Sequence, residues 1–169
     1  MGETATEASA ITQAAKRNRV FLVNVDDSPE REVALKFACL RARNGGGHVA
    51  LLRVVEPVGP TPWAGVAALM QEERREDAEK LLSGLAAEVQ EIAGGYPILL
   101  IREGDPCEEL LALLKEDPRI SVLVLASAAA SNGPGPLISA LSGRYAGRLV
   151  VPMTIVPGTL DDAALERIT

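Results

Sequence analysis

Short apolar runs alternate along the chain with longer amphipathic stretches. The runs are bounded by turn-forming residues and are rich in Val, Ile and Leu, which predicts buried β-strands. They are residues 20–25, 48–55, 96–103, 120–126 and 149–157. Four amphipathic stretches separate these five runs, so the pattern predicts a strand–helix alternation through most of the chain.

The stretches between the runs carry the sequence signals of helices. Ser28 is predicted to cap the first helix, with Pro29 in its first turn. In the third helix Asp105 is the predicted cap and Glu108 takes the capping-box position, and a short fourth helix is predicted over 137–147. The second helix should bury one stripe of residues spaced by three and four: Ala78, Leu81, Leu82, Leu85, Ala86, Val89 and Ile92.

This alternation predicts an α/β fold, a single doubly wound five-stranded parallel sheet with helices on both faces. The domain is expected over 19–157, between a flexible amino-terminal tail, 1–18, and a polar, partly helical carboxyl-terminal tail, 158–169. The most continuously apolar strand, 120–126, is expected at the centre of the sheet.

Ligands of such sheets bind beyond the carboxyl ends of the strands, where the strand order reverses. Asp26 follows the first predicted strand, Val54 lies at the end of the second, and the loop 127–135 follows the fourth. These three places are therefore expected to meet around one site.

Composition and charge narrow the classes of function. The chain has 169 residues, of which 47% are hydrophobic, enough for one substantial core. Its net charge of −6 argues against nucleic acid or an anionic membrane surface as the main partner. No apolar run is long enough to cross a bilayer, and 1–18 does not resemble a secretory signal, so a cytoplasmic protein is expected. Cys39 and Cys107 lie far apart and are expected to be free thiols.

Two adjacent carboxylates, Asp26 and Asp27, stand directly after the first strand. A dinucleotide-binding domain would place a G-x-G-x-x-G turn there, and this chain has none. A response-regulator receiver domain also has an acidic pair at this point, for magnesium. It further needs an aspartate after its third strand and a lysine after its fifth, and neither is present.

The order of motifs resembles the universal stress protein family instead, over about 19–157. The start "VDDSPEREVALKFA" is similar to the family pattern V-D-G-S-x-x-S-x-x-A-L-x-x-A, and it is followed by "HVALLRVVEP", "IREGDPCEEL", "VLVLAS" and "LVVPMTIVP". The resemblance implies a Rossmann-like fold of the adenine-nucleotide α-hydrolase type. It also implies a stress-response binding or signalling module rather than a dedicated enzyme.

The resemblance further implies a site for ATP or another adenine nucleotide, with magnesium. In that family the aspartate after the first strand contacts the nucleoside, and backbone groups at the end of the second strand meet the adenine. A loop with the pattern G-x-x-G, nine residues, then G-S or G-T holds ribose and phosphates. The matching positions here are Asp26, Val54, Ala130, Gly133, Gly143 and Arg144.

Ala130 and Arg144 depart from the pattern, since they replace a glycine and a hydroxyl residue. Arg144 has two opposite interpretations: its guanidinium pairs with a phosphate, or it faces solvent or an internal aspartate. Two further functions therefore stay open beside nucleotide binding. One is a protein-interaction module that has kept the fold and lost the nucleotide, and the other is a weak ATPase or nucleotidyl-transfer activity.

A homodimer is expected through the fifth strand. Pro152 interrupts the apolar run Val151–Val156, and proline belongs on an edge strand because it cannot donate a ladder hydrogen bond. In the resembled family this edge pairs with its mate in a second subunit.

Four other residues each have a functional and a structural interpretation. Asp27 is a second metal ligand or a turn former, and Cys107 is a redox-sensing thiol or a packed side chain. Trp63 covers a ligand cleft or packs on the second helix. His48 has no neighbouring ligand residues in the sequence and is interpreted as structural.

Overall fold

The computed structural model describes residues 19–60, 62–128 and 133–169. The strands are β1 Val20–Asn24, β2 His48–Val55, β3 Ile98–Glu103, β4 Ile120–Ser127 and β5 Met153–Pro157. The helices are α1 Arg31–Gly45, α2 Ala64–Ala93, α3 Pro106–Glu116, α4 Pro136–Ser142 and α5 Asp162–Ile168, with a short 3-10 turn at Ala146–Arg148.

The five strands form one parallel sheet in the order β3-β2-β1-β4-β5. The predicted doubly wound α/β fold is thereby confirmed. The strand order reverses at β1, which pairs with β2 on one side and β4 on the other. The prediction that 120–126 lies at the centre is wrong: β1 is central, and β4 is the interior strand between β1 and β5.

Alternate residues of the strands bury against opposite layers of helices. Phe21 and Val23 of β1 pack in one core cluster with residues of α1 and α2. Val20 and Leu22 pack in the other, with residues of α3 and α4. The predicted stripe of α2 is confirmed, because Ala78, Leu82, Ala86 and Val89 are buried and the other three pack against the same cluster.

The first helix begins later than predicted. Helix α1 starts at Arg31, and Glu30 takes the cap position, where its side chain does not cap the amides of the helix. Ser28 does not cap it, because its amide and hydroxyl both donate to Oδ1 of Asp26, at 3.0 and 2.5 Å. The carboxylate of Asp26 thus closes a turn in which the chain changes direction between β1 and the helix.

The third helix begins as predicted, with one difference. Asp105 caps α3 by accepting hydrogen bonds from the amides of Cys107 and Glu108, each at 3.0 Å. The side chain of Glu108 does not complete a capping box. It accepts two hydrogen bonds, both 2.7 Å, from the guanidinium of Arg148.

The last elements are shorter than predicted. Helix α4 ends at Ser142, and β5 begins at Met153 rather than at 149. Pro152 therefore precedes the strand, and its carbonyl accepts from the amide of Leu123 at 3.0 Å. The predicted edge position is confirmed, since among the described strands β4 alone pairs with β5.

The chain continues past β5 into a helix that packs on the domain. Leu165 of α5 is 1% exposed and belongs to the core cluster formed with α1 and α2. Two ion pairs join α5 to α1, Lys36 with Asp162 at 2.6 Å and Arg43 with Glu166 at 3.1 Å. The polar face of this segment is thus exposed while one leucine anchors it.

Candidate functional site

A cleft of about 870 Å³ opens at the carboxyl end of the sheet. Its walls are the ends of β1 and β2, one side of α2, the start of α3 and the region of α4. This is where a parallel sheet presents the loops that follow its strands, at the point of strand-order reversal. A smaller cavity of about 180 Å³ adjoins it and shares Asn24, Asp26, Pro136 and Leu137 with it.

Asp26 lines both cavities. Its Oδ1 accepts both hydrogen bonds from Ser28, and its carbonyl accepts one from Nη1 of Arg31 at 3.0 Å. These contacts fix the carboxylate at the end of β1 although the residue is exposed. A carboxylate held in this way is an acceptor for ligand hydroxyl groups.

Val54 lines the main cleft at a place where β2 outruns its neighbour. The last residue of β1, Asn24, lies opposite Leu52, whereas β2 continues to Val55. The Leu52 carbonyl still accepts from the Val25 amide at 2.7 Å. Backbone groups two residues apart point to the same side of a strand, so the amide and carbonyl of Val54 point to the side of β1, beyond the last residue of that strand.

The loop after β4 reaches the site through its last residues. Ala130 lies outside the described residues. Gly133 and Gly135 have φ of 91° and 101°, values that only glycine adopts readily. Pro134 and Gly135 line the smaller cavity together with Asp26, although more than a hundred positions separate them in the chain. Gly133 itself lines neither cavity.

The second half of the predicted phosphate pattern lies at the end of α4. Gly143 follows that helix and its amide donates to the Ser139 carbonyl at 3.1 Å, and it does not line the cleft. Arg144 does line it. Its guanidinium carbon lies 4.6 Å from the ring centre of Tyr145, and none of the described carboxylates comes within 4.0 Å of it. An internal Arg144–aspartate pair is therefore not formed with the described part of the chain.

Asp27 is engaged by an arginine of β2, which neither of its two interpretations anticipated. Its carboxylate pairs with Nη2 of Arg53 at 2.8 Å, and Nη1 of Arg53 donates to the Val25 carbonyl at 3.1 Å. The turn that the sequence suggested for Asp27 is made by Asp26 instead. The hydrogen bond from Arg53 lowers the pKa of Asp27, and burial opposes the shift only in part. The pair bridges the ends of β1 and β2 at the mouth of the cleft.

The Asp27–Arg53 pair predicts a small dependence of stability on pH. A carboxylate whose pKa is lowered by folding contributes stability that is complete above its unfolded pKa and is lost as the pH falls through its folded pKa. Because Asp27 is mostly exposed, we expect Asp27→Asn to lower the free energy of unfolding at pH 7 by only about 0.5 kcal/mol. The difference from the parent should begin to shrink near pH 3.8, the ordinary pKa of an aspartate, and should vanish below the lowered pKa of the folded protein.

Urea denaturation of the two proteins across this pH range measures the effect. Arg53→Gln removes the other partner, and the double variant should be no less stable than the less stable single variant. An Asp27→Asn protein that matches the parent at pH 7, or that loses relative stability toward acid, would contradict this assignment.

The wall of the cleft near α3 contains a buried thiol. Cys107 is 8% exposed, and burial raises the pKa of its thiol above the ordinary value. The charge of Asp105 adds to this increase, while Arg144 opposes it. The geometry favours the packing interpretation of Cys107 over redox sensing, because a reactive thiol needs a lowered pKa and exposure.

Several residues of the cleft were not predicted from the sequence. Arg53 and Cys107 lie on elements whose ends meet at the same edge, and Arg74 and Asp77 lie on the side of α2 that faces it. The helical spacing of Arg74 and Asp77 with the buried Ala78 and the partly buried Leu81 was the available signal. Trp63, by contrast, is 71% exposed at the start of α2, so it does not bury itself on that helix.

Within residues 19–60, 62–128 and 133–169, no three His, Cys, Asp or Glu side chains cluster closely enough to hold a metal ion. Across the same ranges, none of the helices combines the length and the apolar character that crossing a bilayer requires.

Solved structures share this fold. The universal stress protein UspA from Lactobacillus plantarum superimposes with a TM-score of 0.69 at 18% identity, covering 83% of this chain and 98% of that one. A universal stress protein in complex with cAMP gives 0.62 at 16% identity, covering 83% and 98%. A family protein from Arabidopsis thaliana with AMP bound gives 0.55 at 15% identity, covering 86% and 98%.

The chain matches a family model although it matches no single curated sequence. No curated protein matches the chain significantly in a sequence search. The model of the universal stress protein family, however, matches residues 17–157, most of the chain and all five strands. Together with the shared fold, this match shows that the chain belongs to the universal stress protein family.

Proposed function

We propose that this universal stress protein binds an adenine nucleotide in the cleft above β1 and β2, as a cytoplasmic homodimeric module of stress response or signalling. The observation that carries the proposal is that the fixed carboxylate of Asp26 and the end of β2 at Val54, past its pairing with β1, line one cleft. Sugar hydroxyls need an acceptor, and a purine edge needs both a donor and an acceptor.

The dimensions of the cleft support this ligand class. Its volume of about 870 Å³ lies within the range of small-molecule and cofactor sites, roughly 300 to 1,000 Å³. Apolar side chains also line the cleft beside the polar groups: Leu81 of α2, Pro106 of α3 and Leu137 of α4. Two fold relatives are described as complexes with cAMP and with AMP, which favours an adenine ligand here as well.

Titration calorimetry with adenosine and its nucleotides tests the proposal. The parent protein should bind, and Asp26→Ala should lower the affinity for adenosine about 10- to 100-fold, the usual range for losing hydrogen bonds to a charged group. Asp117→Ala is a matched control, because Asp117 closes the same kind of turn, on the amide of Arg119 at 3.0 Å, at the other end of the sheet. Absence of binding by the parent at millimolar ligand would reject the nucleotide proposal.

A second candidate is a protein-interaction module that keeps the fold without the nucleotide. Exposed apolar side chains at the start of α2 favour it, with Trp63 at 71% and Leu69 at 62% exposure. The proposal assigns binding rather than catalysis to the protein in either case. Nucleotide released from the denatured, purified protein would separate the two candidates in favour of the first.

The homodimer is proposed through the free edge of β5. Val150 and Ile155 are 55% and 41% exposed beside this edge, and an uncovered apolar edge is a pairing surface for another strand. The prolines at 152 and 157 bound the pairing segment at both ends.

A further inference from the structure

We propose that the cleft prefers nucleotides with a single phosphate group, a monophosphate or a cyclic monophosphate, over triphosphates, and that Arg144 is the phosphate ligand. This inference rests on the proposed function, since it specifies the ligand of the same cleft. Three observations carry it: the unpaired state of Arg144, the support of its side chain, and the balance of charge around the cleft.

Arg144 differs from the other two arginines that line the cleft. Arg53 is engaged by Asp27 at 2.8 Å, and Nη1 of Arg74 donates to the Glu56 carbonyl at 3.0 Å. Arg144 has no carboxylate within 4.0 Å among the residues described. A guanidinium with free N–H groups makes a bidentate contact with a phosphate, which a stacked ring face does not block.

The side chain of Arg144 is supported from below. Its guanidinium carbon lies 4.6 Å from the ring centre of Tyr145, and that of Arg148 lies 5.2 Å from the same centre. Arg148 is itself held by two 2.7 Å hydrogen bonds to Glu108 of α3. This chain of contacts ties the segment after α4 to the start of α3, so Arg144 is held at the cleft before a ligand arrives.

The charge around the cleft limits how much phosphate it accepts. Five carboxylate residues line it, against the three arginines: Asp26, Asp27, Glu56, Asp77 and Asp105. Pro134 and Pro136, next to the site, have no amide hydrogen to donate. The residues that line the cleft thus carry more negative than positive charge, so each phosphate beyond the one at Arg144 meets further repulsion.

Calorimetry with adenosine, AMP, cAMP and ATP, each with and without magnesium, tests the preference. We expect AMP and cAMP each to bind at least about tenfold more tightly than ATP. Arg144→Ala should weaken AMP about tenfold and leave adenosine unchanged, because it removes a charged hydrogen-bond donor that only the phosphate uses. Arg119→Ala is the control, since it lowers the net charge equally at the opposite end of the sheet. Thermal melts of both variants establish that they fold.

The outcomes separate this inference from the proposed function. ATP bound as tightly as AMP, or Arg144→Ala with unchanged AMP affinity, would overturn the inference while adenosine binding kept the proposed function intact. Failure of adenosine and of all three nucleotides to bind the parent would overturn both.

Discussion

Replacing Ile155 with aspartate is expected to dissociate the proposed dimer into monomers. Ile155 is 41% exposed on β5, whereas its neighbour Val156 is 2% exposed in the core, so the change alters the free surface and not the packing. Burying the exposed 41% of this isoleucine in both subunits is worth roughly 1 to 2.5 kcal/mol in total, and burying a carboxylate in its place costs more. Two carboxylates would also meet across the two-fold axis of a symmetric dimer. The dissociation constant should rise by at least about 100-fold.

Light scattering after size exclusion, at micromolar protein, measures this change in mass. Leu99→Asp is the matched control, because Leu99 has the same 41% exposure on β3, the strand at the other edge of the sheet. The control should remain a dimer. A parent that is a monomer at this concentration, or dissociation by Leu99→Asp in place of Ile155→Asp, would refute the proposed interface.

The fold was predictable because its signals are local and repeat. A parallel strand buried on both faces must be apolar throughout, and the helix after it needs one apolar stripe. These two periods distinguish the elements without any long-range information. The alternation of strand and helix then leaves few topologies, since crossovers between parallel strands are right-handed. The apolar character of a strand could not decide its position in the sheet. Strands β1 and β4 are both interior, and the strand pairing shows that β1 is the central one.

The starts of elements were less predictable, because one side chain often has two available partners. Ser28 is a good cap by type, but the carboxylate of Asp26 two residues earlier takes both of its donors. Glu108 stands in the capping-box position, yet a guanidinium forty positions away binds it. Sequence rules for helix caps do not decide between competing partners. A neighbouring carboxylate takes the donors of Ser28, and an arginine that the tertiary fold brings close takes the acceptors of Glu108.

The site was predictable in its location and less so in its chemistry. Strand order explains why Asp26 and Val54 line one cleft, and Arg144 joins them there. The pairing of Asp27 with Arg53 was not foreseen, because the relative register of β1 and β2 decides which side chains at their ends meet. Gly133 and Gly143 match the sequence interval of the family pattern, but neither lines a cavity. The residues that follow them, Pro134 and Arg144, do.

Replacing Leu165 with alanine is expected to destabilise the whole domain, although the residue lies beyond the match to the family model. Leu165 is 1% exposed and packs in the cluster that contains Val156 of β5 and residues of α1. Removing a fully buried leucine side chain typically costs 2 to 5 kcal/mol, and we expect about 3 kcal/mol here. The loss should appear as a lower urea midpoint with an unchanged slope.

Ile168→Ala is the matched control, since Ile168 lies on the same helix at 48% exposure and should change stability by less than about 0.5 kcal/mol. Both variants are compared with the parent at one protein concentration, because association with a second subunit adds to the measured stability. Equal midpoints for Leu165→Ala and Ile168→Ala would mean that α5 unfolds independently of the sheet. A deficit confined to Leu165→Ala would make α5 part of the cooperative unit, because a helix of seven residues has little stability of its own and is held by the side chain that it buries.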